Sequence, residues 1–373
     1  MSVTIKIVTN KSELNRFVQF PLSLYKKNRF YVPPLLSEEK NRLDSKKNPA
    51  FDFTEASYWL AYKDGKLAGR IAGIINHRYN EELKCKRTRF SWFDMINDQE
   101  VCNLLLHTVE KWAKEKGMEV MLGPYGFTNF DKHGLLIEGY EELATSSSNY
   151  NFPYYKTLLE NAGYQKKIDW VEYRINVPEA VPEKIVRVSK WALERYKLRI
   201  FHANSTKELL RFKNDVFILL NRSYSGLYGF TSLTEKQIDA VVKNIFSYLN
   251  PKYLSFVLDK DDRIVAFGIS VPSVSKALQK AKGKMLPFGF FHLWKALRTN
   301  DTIDLLLIAV RPEFQDRGVN AILFYDLIPV CIKNNIKFVE TTQNQSTNKK
   351  VQAQWAYFDH RMHKRSRLYI KNL

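Results

Sequence analysis

The order of apolar runs and turn signals repeats once along the chain, and this repeat restricts the fold more than any single motif does. Residues 58–62 and 67–75 are apolar runs around Lys63-Asp64-Gly65-Lys66. Asp-Gly between two such runs is a strong β-hairpin signal. About 195 residues later the pattern returns, with residues 253–258 and 264–271 around Lys260-Asp261-Asp262-Arg263. The ends repeat as well. Residues 155–175 and 355–370 each read as a helical piece, a basic turn and a closing strand, displaced by about 200 residues. A period this long means repeated structural units, and 373 residues suit two domains. The expectation is an α/β (α+β) chain of two tandem domains, residues 1–177 and 198–373. Pro178 and Pro182 mark residues 178–197 as the linker.

The remaining segments fill in both copies. Residues 4–8 read as a strand and 11–25 as a helix. Residues 29–36 read as extended, because Pro33 and Pro34 block a helix. The polar stretch 40–48 reads as a loop. Residues 89–96 are a strand, 98–116 an amphipathic helix closed by Gly117, and 119–122 a strand entering Gly123-Pro124-Tyr125-Gly126. In the second half, residues 198–202 read as a strand. Residues 205–221 read as a helix, with Ser205 as cap and Glu208 completing a capping box. Residues 234–249 form a helix capped by Thr234, and 337–342 a strand.

The copies differ most in what joins their central strand to the next helix. In the second copy, residues 304–310 are an apolar strand and 311–319 a polar loop. Residues 320–335 carry Ile322, Leu323, Tyr325, Leu327, Ile328 and Ile332 at helical spacing. Strand, glycine loop and helix together present backbone N–H groups to an anion, because the first helical turn leaves its donors unpaired. Gly318 lets a ligand approach the backbone, and Arg317 adds positive charge. The first copy has Asn97-Asp98-Gln99-Glu100 at this place, acidic and without glycine, which repels a phosphate.

The loop's wording is specific. Val310, Pro312, Phe314, Gln315 and Gly318 resemble the acyl-CoA pyrophosphate loop of the GNAT acyltransferases, V-x-P-x-(Y/F)-(Q/R)-x-x-G-x-(G/A). Asn320 departs from the pattern, where the family has Gly or Ala, although Asn can cap a helix. Two further segments, Gly123–Tyr140 and Phe20–Leu35, resemble those of tandem GNAT-like proteins. That group is distantly similar to the Fem-type aminoacyltransferases. The resemblance implies that each domain is a mixed, mostly antiparallel sheet flanked by helices. It implies acyl-CoA as co-substrate, held by Val310, Gln315, Asp316, Arg317, Gly318, Val319 and Asn320, with no metal. The acceptor would be an amine-bearing small molecule or an amino lipid in a cleft between domains. Two alternatives stay open: a GNAT-fold binding protein without turnover, or Fem-like aminoacyl transfer from charged tRNA.

N-acyl transfer from a thioester needs a neutral amine, a polarised carbonyl and an acid for the leaving thiolate. The family's acid is a Tyr in an N-x-x-A-x-x-x-Y frame. Here Asn348 opens a similar frame that ends on Trp355, which leaves Tyr357 as substitute acid or as a packing aromatic. Asp131 and His133, on a loop before Gly134, are the candidate base pair, or a turn-forming Asp beside an exposed His. Tyr154 and Tyr155 line a substrate cleft or belong to the core. Glu340 and Asn344, at the end of a strand, are placed to hold the amine or to face solvent.

Composition narrows the setting. Fifty-eight Lys and Arg against thirty-nine Asp and Glu give a net charge of +19, so the chain attracts anions: CoA phosphates, RNA or an acidic membrane surface. No RNA-binding signature is visible, so nucleic acid is not expected outside the tRNA alternative. Cys85, Cys102 and Cys331 are scattered without metal spacing, and no stretch nears the ~20 apolar residues of a membrane span. These features fit the cytoplasm, with peripheral contact to a membrane an open alternative. Residues 274–298 are basic and aromatic, which suits either a membrane surface or long acyl chain, or a core helix with a solvated edge.

Overall fold

The computed structural model describes residues 2–246 and 248–373. The strands are β1 (Val3–Ile7), β2 (Thr54–Lys63), β3 (Lys66–Asn76), β4 (Arg87–Met95), β5 (Val120–Gly123), β6 (Leu135–Glu138), β7 (Gln165–Asn176), β8 (Arg199–Phe201), β9 (Leu254–Leu258), β10 (Ile264–Pro272), β11 (Thr302–Val310), β12 (Phe338–Thr341), β13 (Asn344–Gln345) and β14 (His360–Asn372). They belong to two compact units. The first contains the residues up to Val171 with Val274–Leu293 and His363–Leu373; the second contains Glu172–Ser273 and Trp294–Met362.

The pairings have one order in both units. In the first, β1, β2, β3 and β4 are successively antiparallel, and β4 pairs parallel with β5. Residues Tyr369–Asn372 of β14 then close the sheet antiparallel on β5. In the second, β8, β9, β10 and β11 are antiparallel and β11 pairs parallel with β12. Arg174–Asn176 of β7 close that sheet antiparallel on β12. A parallel pair needs a crossover, and each unit supplies one helix for it: Gln99–Glu115 in the first, Val319–Lys333 in the second.

This exchange of closing strands corrects the expected boundaries. The chain does not divide at 177 and 198, because strand pairing overrides sequence proximity. Residues 178–197 are not a linker either. They contain the helix Glu183–Tyr196, which buries Ile185, Ser189 and Ala192. Ala192 joins a core with Val257, Val265, Val319 and Ile322.

Local chemistry explains most elements. Asp64 and Gly65 both adopt positive φ (49° and 74°), as a two-residue hairpin turn demands. The helix Gln99–Glu115 places Val101, Leu105 and Val109 against Ala68 and Ile71 of β3. Three expectations differ from the structure. Part of the stretch 40–48 lies in a helix, Leu36–Leu43, whose Leu36, Glu39 and Leu43 are buried. The expected helix 205–221 is broken into Thr206–Leu209, a 3-10 turn Leu210–Phe212, and Lys213–Tyr224. Ser205 Oγ still accepts from the Glu208 N–H at 3.3 Å, but the Glu208 carboxylate reaches back to the Asn204 N–H at 2.9 Å rather than to that of Ser205, and Phe212 turns inward against Phe201 and Phe256. The expected helix 234–249 spans Glu235–Phe246, and Ser247 lies outside the described residues.

Residues 274–298 form two helices, Ser275–Ala281 and Gly289–Arg298. The core-helix alternative does not hold for the second, where Leu293 is buried but Phe290, Phe291 and Trp294 are exposed. Among the described residues, no helix is long and apolar enough to cross a membrane.

Candidate functional site

In the second unit β11 and β12 run side by side only from Thr302 beside Phe338 to Leu305 beside Thr341. β11 continues to Val310, so the two strands part beyond Leu305. A bulge sits at that point. Against β10, Leu307 faces Ile269 and Leu305 faces Ser270, which leaves Leu306 as the extra residue. Beyond it, the carbonyl of Ile308 accepts from the Tyr224 hydroxyl at 3.1 Å, and that of Val310 from Ser223 at 3.3 Å. Leu305 to Ile308 are only half-buried, although they lie in an inner strand. These apolar side chains stay partly open beside the parted strand pair.

At the top of β11 the chain makes a 3-10 turn, Pro312–Phe314, and enters the helix Val319–Lys333. Asp316 and Gly318 take positive φ, 58° and 75°. Gly318 is the N-cap residue, and no side chain caps the helix. Gln315 donates to the Val310 carbonyl at 3.1 Å, Asp316 pairs with Lys350, and the Arg317 guanidinium lies 5.8 Å from the Tyr196 ring. Gln315, Asp316 and Arg317 are exposed. The matching helix of the first unit is closed to anions. There Asp98 caps it by accepting from Val101 N–H, and pairs with Lys63. Burial works against the Asp98 charge, but the Lys63 ammonium and the Val101 N–H outweigh it and hold the carboxyl below its usual range.

Two details of the loop differ from expectation. A Cβ on Gly318 would lie 2.6 Å from Val188 Cγ1, so this glycine is required by the helix Glu183–Tyr196 as well as by its φ. Asn320 is the second residue of the helix and does not cap it.

Glu340 is buried beside Arg174, 3.6 Å away, and its register partner on β11 is Asp304, also buried. The two carboxylates stand one residue before the strands part. Asp304 was not singled out from the sequence; its signal is a lone acid inside the apolar run TIDLLLIAV. Asn344 donates to Thr341 Oγ1 (3.3 Å) and to the Thr342 carbonyl (2.8 Å), which shapes its own turn. Tyr357 is 43% exposed, with the Lys184 ammonium 4.7 Å from its ring. Trp355 is buried against Phe324 and Tyr173.

The other expected site residues belong to the first unit, where their side chains are held by local structure. Asp131 accepts from the Thr128 N–H at 2.9 Å and pairs with Arg42 at 3.3 Å. His133 Nδ1 meets the Asp131 carbonyl oxygen at 3.0 Å, and its ring packs against Trp170 and Tyr125. Tyr155 is fully buried and bonds both the N–H and the carbonyl of Met95; Tyr154 donates to the same carbonyl. These two tyrosines fill the end of β4 and are core. Between Asp131 and His133 lies a residue the sequence did not flag. Burial lowers the Lys132 ammonium to about 8, Glu39 opposing the shift and Arg42 adding to it. Burial pushes the Cys102 and Cys331 thiols up to about 12, which makes them poor nucleophiles.

No protein-family model matches the chain. Protein YghO of Escherichia coli (strain K12) is 26% identical over 99% of this chain and 95% of its own length. The bacterial ceramide synthase of Caulobacter vibrioides is 26% identical over 83% of this chain and 80% of its own. Among solved structures, a tandem GNAT protein from the clavulanic acid biosynthesis pathway superposes with a TM-score of 0.58 at 9% identity, covering 100% of this chain and 98% of that one. A mixed sheet present in two copies, a central parallel pair that parts at a bulge, and this neighbour together identify the chain as a protein of the tandem GNAT fold.

Proposed function

We propose that the chain transfers an acyl group from acyl-CoA to the amine of a long-chain amino lipid. The observation that carries this reading is the contrast between its two crossover helices. One starts at Gly318 with no side-chain cap, behind the exposed residues Gln315 to Arg317; the other is capped by Asp98. The uncapped first turn of that helix, with Arg317, suits a diphosphate, and the half-buried side chains of Leu305 to Ile308 suit an extended apolar arm. Bound acyl-CoA would supply the activated thioester. Glu340, with Asp304 beside it and Arg174 balancing the pair, is the group assigned to hold the acceptor ammonium and take its proton. The long-chain acceptor is supported by the likeness to the bacterial ceramide synthase.

The test is thiol release from acetyl- and palmitoyl-CoA across amines that include a long-chain base. Release with palmitoyl-CoA and the long-chain base is expected. Arg317→Glu should raise the KM for acyl-CoA about tenfold, the effect of reversing one charge-assisted contact. No release with any amine, and no acyl-CoA binding by calorimetry, would refute the reading. Buried Trp355, in the frame position where the family has its acid, favours a second reading, a binding protein without turnover. Tight acyl-CoA binding with no thiol release from any amine would establish it.

A further inference from the structure

The connection between β10 and β11 leaves the sheet for two helices, and the second exposes much of its apolar surface. Within ten residues Met285, Leu286, Phe288, Phe290, Phe291 and Trp294 are all at least 37% exposed, Leu286 and Phe288 by 75% and 72%. Scattered exposed apolar residues need no explanation, but a cluster of this density does. The segment is not loose. Leu36 N–H donates to the Gly283 carbonyl, and Gln279 donates to the carbonyls of Arg29 and Tyr31. Phe290 N–H donates to Met285, and a Cβ on Gly289 would sit 1.9 Å from the Lys284 carbonyl, so only glycine allows this turn. Leu293 is the buried anchor. The aromatics therefore point outward from a fixed platform.

The charge around them has one sign. From Arg263 to Asn300 the chain contains no Asp or Glu, while Lys282, Lys284, Lys295 and Arg298 border the aromatics. Apolar and aromatic side chains ringed by unopposed cations match the interface of an anionic bilayer, where the rings sit at headgroup depth and the cations meet lipid phosphates. A second protein copy would bring the same positive charge and be repelled. We propose that the segment Met285–Arg298 docks the protein on anionic membrane surfaces. Vesicle binding does not require acyl transfer, so this proposal stands or falls apart from the enzymatic one.

Flotation of the full chain with neutral phosphatidylcholine vesicles, and with vesicles containing phosphatidylglycerol, tests it. Binding to the anionic vesicles only, weakened by salt, is expected. Lys282→Gln, Lys284→Gln and Lys295→Gln together should lower partitioning about 100-fold, each cation near the surface being worth roughly fivefold. Phe288→Ser with Phe291→Ser should abolish it. All these side chains are exposed, and circular dichroism checks that the variants fold. Failure of the wild type to float with anionic vesicles would overturn the proposal. So would unchanged binding in both variants. A wild-type dimer that the Phe288→Ser/Phe291→Ser variant dissociates, without vesicle binding, would instead make the patch an interface between copies.

Discussion

Lys132 shows how much of a residue's chemistry comes from residues far away in sequence. Its ammonium is lowered to about 8 by burial, with Glu39 and Arg42, some ninety positions earlier, acting in opposite directions. Nothing within the turn itself announces this, so the sequence pointed to its neighbours Asp131 and His133. The sign of the linkage is definite. Between about 8 and the ordinary 10.5, the unfolded chain holds more protons on this group than the folded one. Its contribution to stability therefore grows as pH rises through that window, and at neutral pH the buried ammonium is a cost. Lys132→Met should be more stable than wild type by about 1–2 kcal/mol at pH 7, a figure discounted for partial exposure. The advantage should shrink by pH 9.5; urea unfolding at both values measures it. Glu340 is the opposite case, legible as an acid at a strand end although its partner Asp304 was not. Glu340→Gln should cut the acyl-transfer rate about 100-fold or more while calorimetric acyl-CoA affinity stays unchanged. A variant with lost affinity and an intact rate would contradict the assigned role.

At the scale of elements, whatever rests on adjacent residues was legible. The Asp64-Gly65 turn and the Gln315–Gly318 loop each carry their instructions within a few positions. The helix Glu183–Tyr196 was hidden, because Pro178 and Pro182 read as a linker while its buried face, Ile185, Ser189 and Ala192, is sparse and partly polar. That helix fixes the loop: Tyr196 meets Phe314 at 5.8 Å, and Val188 closes over Gly318. The two turn glycines should respond differently to mutation. At Gly65 an added Cβ meets nothing within 4 Å, so Gly65→Ala pays only for its positive φ, about 1 kcal/mol. Gly318→Ala adds an overlap with Val188 and should cost about 2–4 kcal/mol. Val188→Ala in the Gly318→Ala background should recover part of that loss. Strictly additive thermal shifts across this cycle would show that the two residues are not in contact.

At the scale of the whole molecule, the repeat was legible but its strand exchange was not, because a closing strand reads alike whichever sheet it joins. β14 leaves the second copy and completes the first unit, where Leu368 and Tyr369 are fully buried. β7 leaves the first copy and supplies Arg174–Asn176 to the second. Cutting the gene where the repeat ends therefore removes a structural strand from each piece. A fragment of residues 1–177 lacks the partner of β5 and exposes its edge; removing two buried residues costs about 3–5 kcal/mol each, against a stability of about 5–15 kcal/mol for a domain. That fragment should aggregate or melt without cooperativity. The full chain truncated after Met362 should lose the fold of its first unit, although the deletion lies near the other end of the sequence. A synthetic peptide of residues 363–373, added in excess to the truncated protein, should restore a cooperative transition by calorimetry. If residues 1–177 alone melt cooperatively at the temperature of the intact protein, the exchange carries no stability and the two copies fold as separate domains.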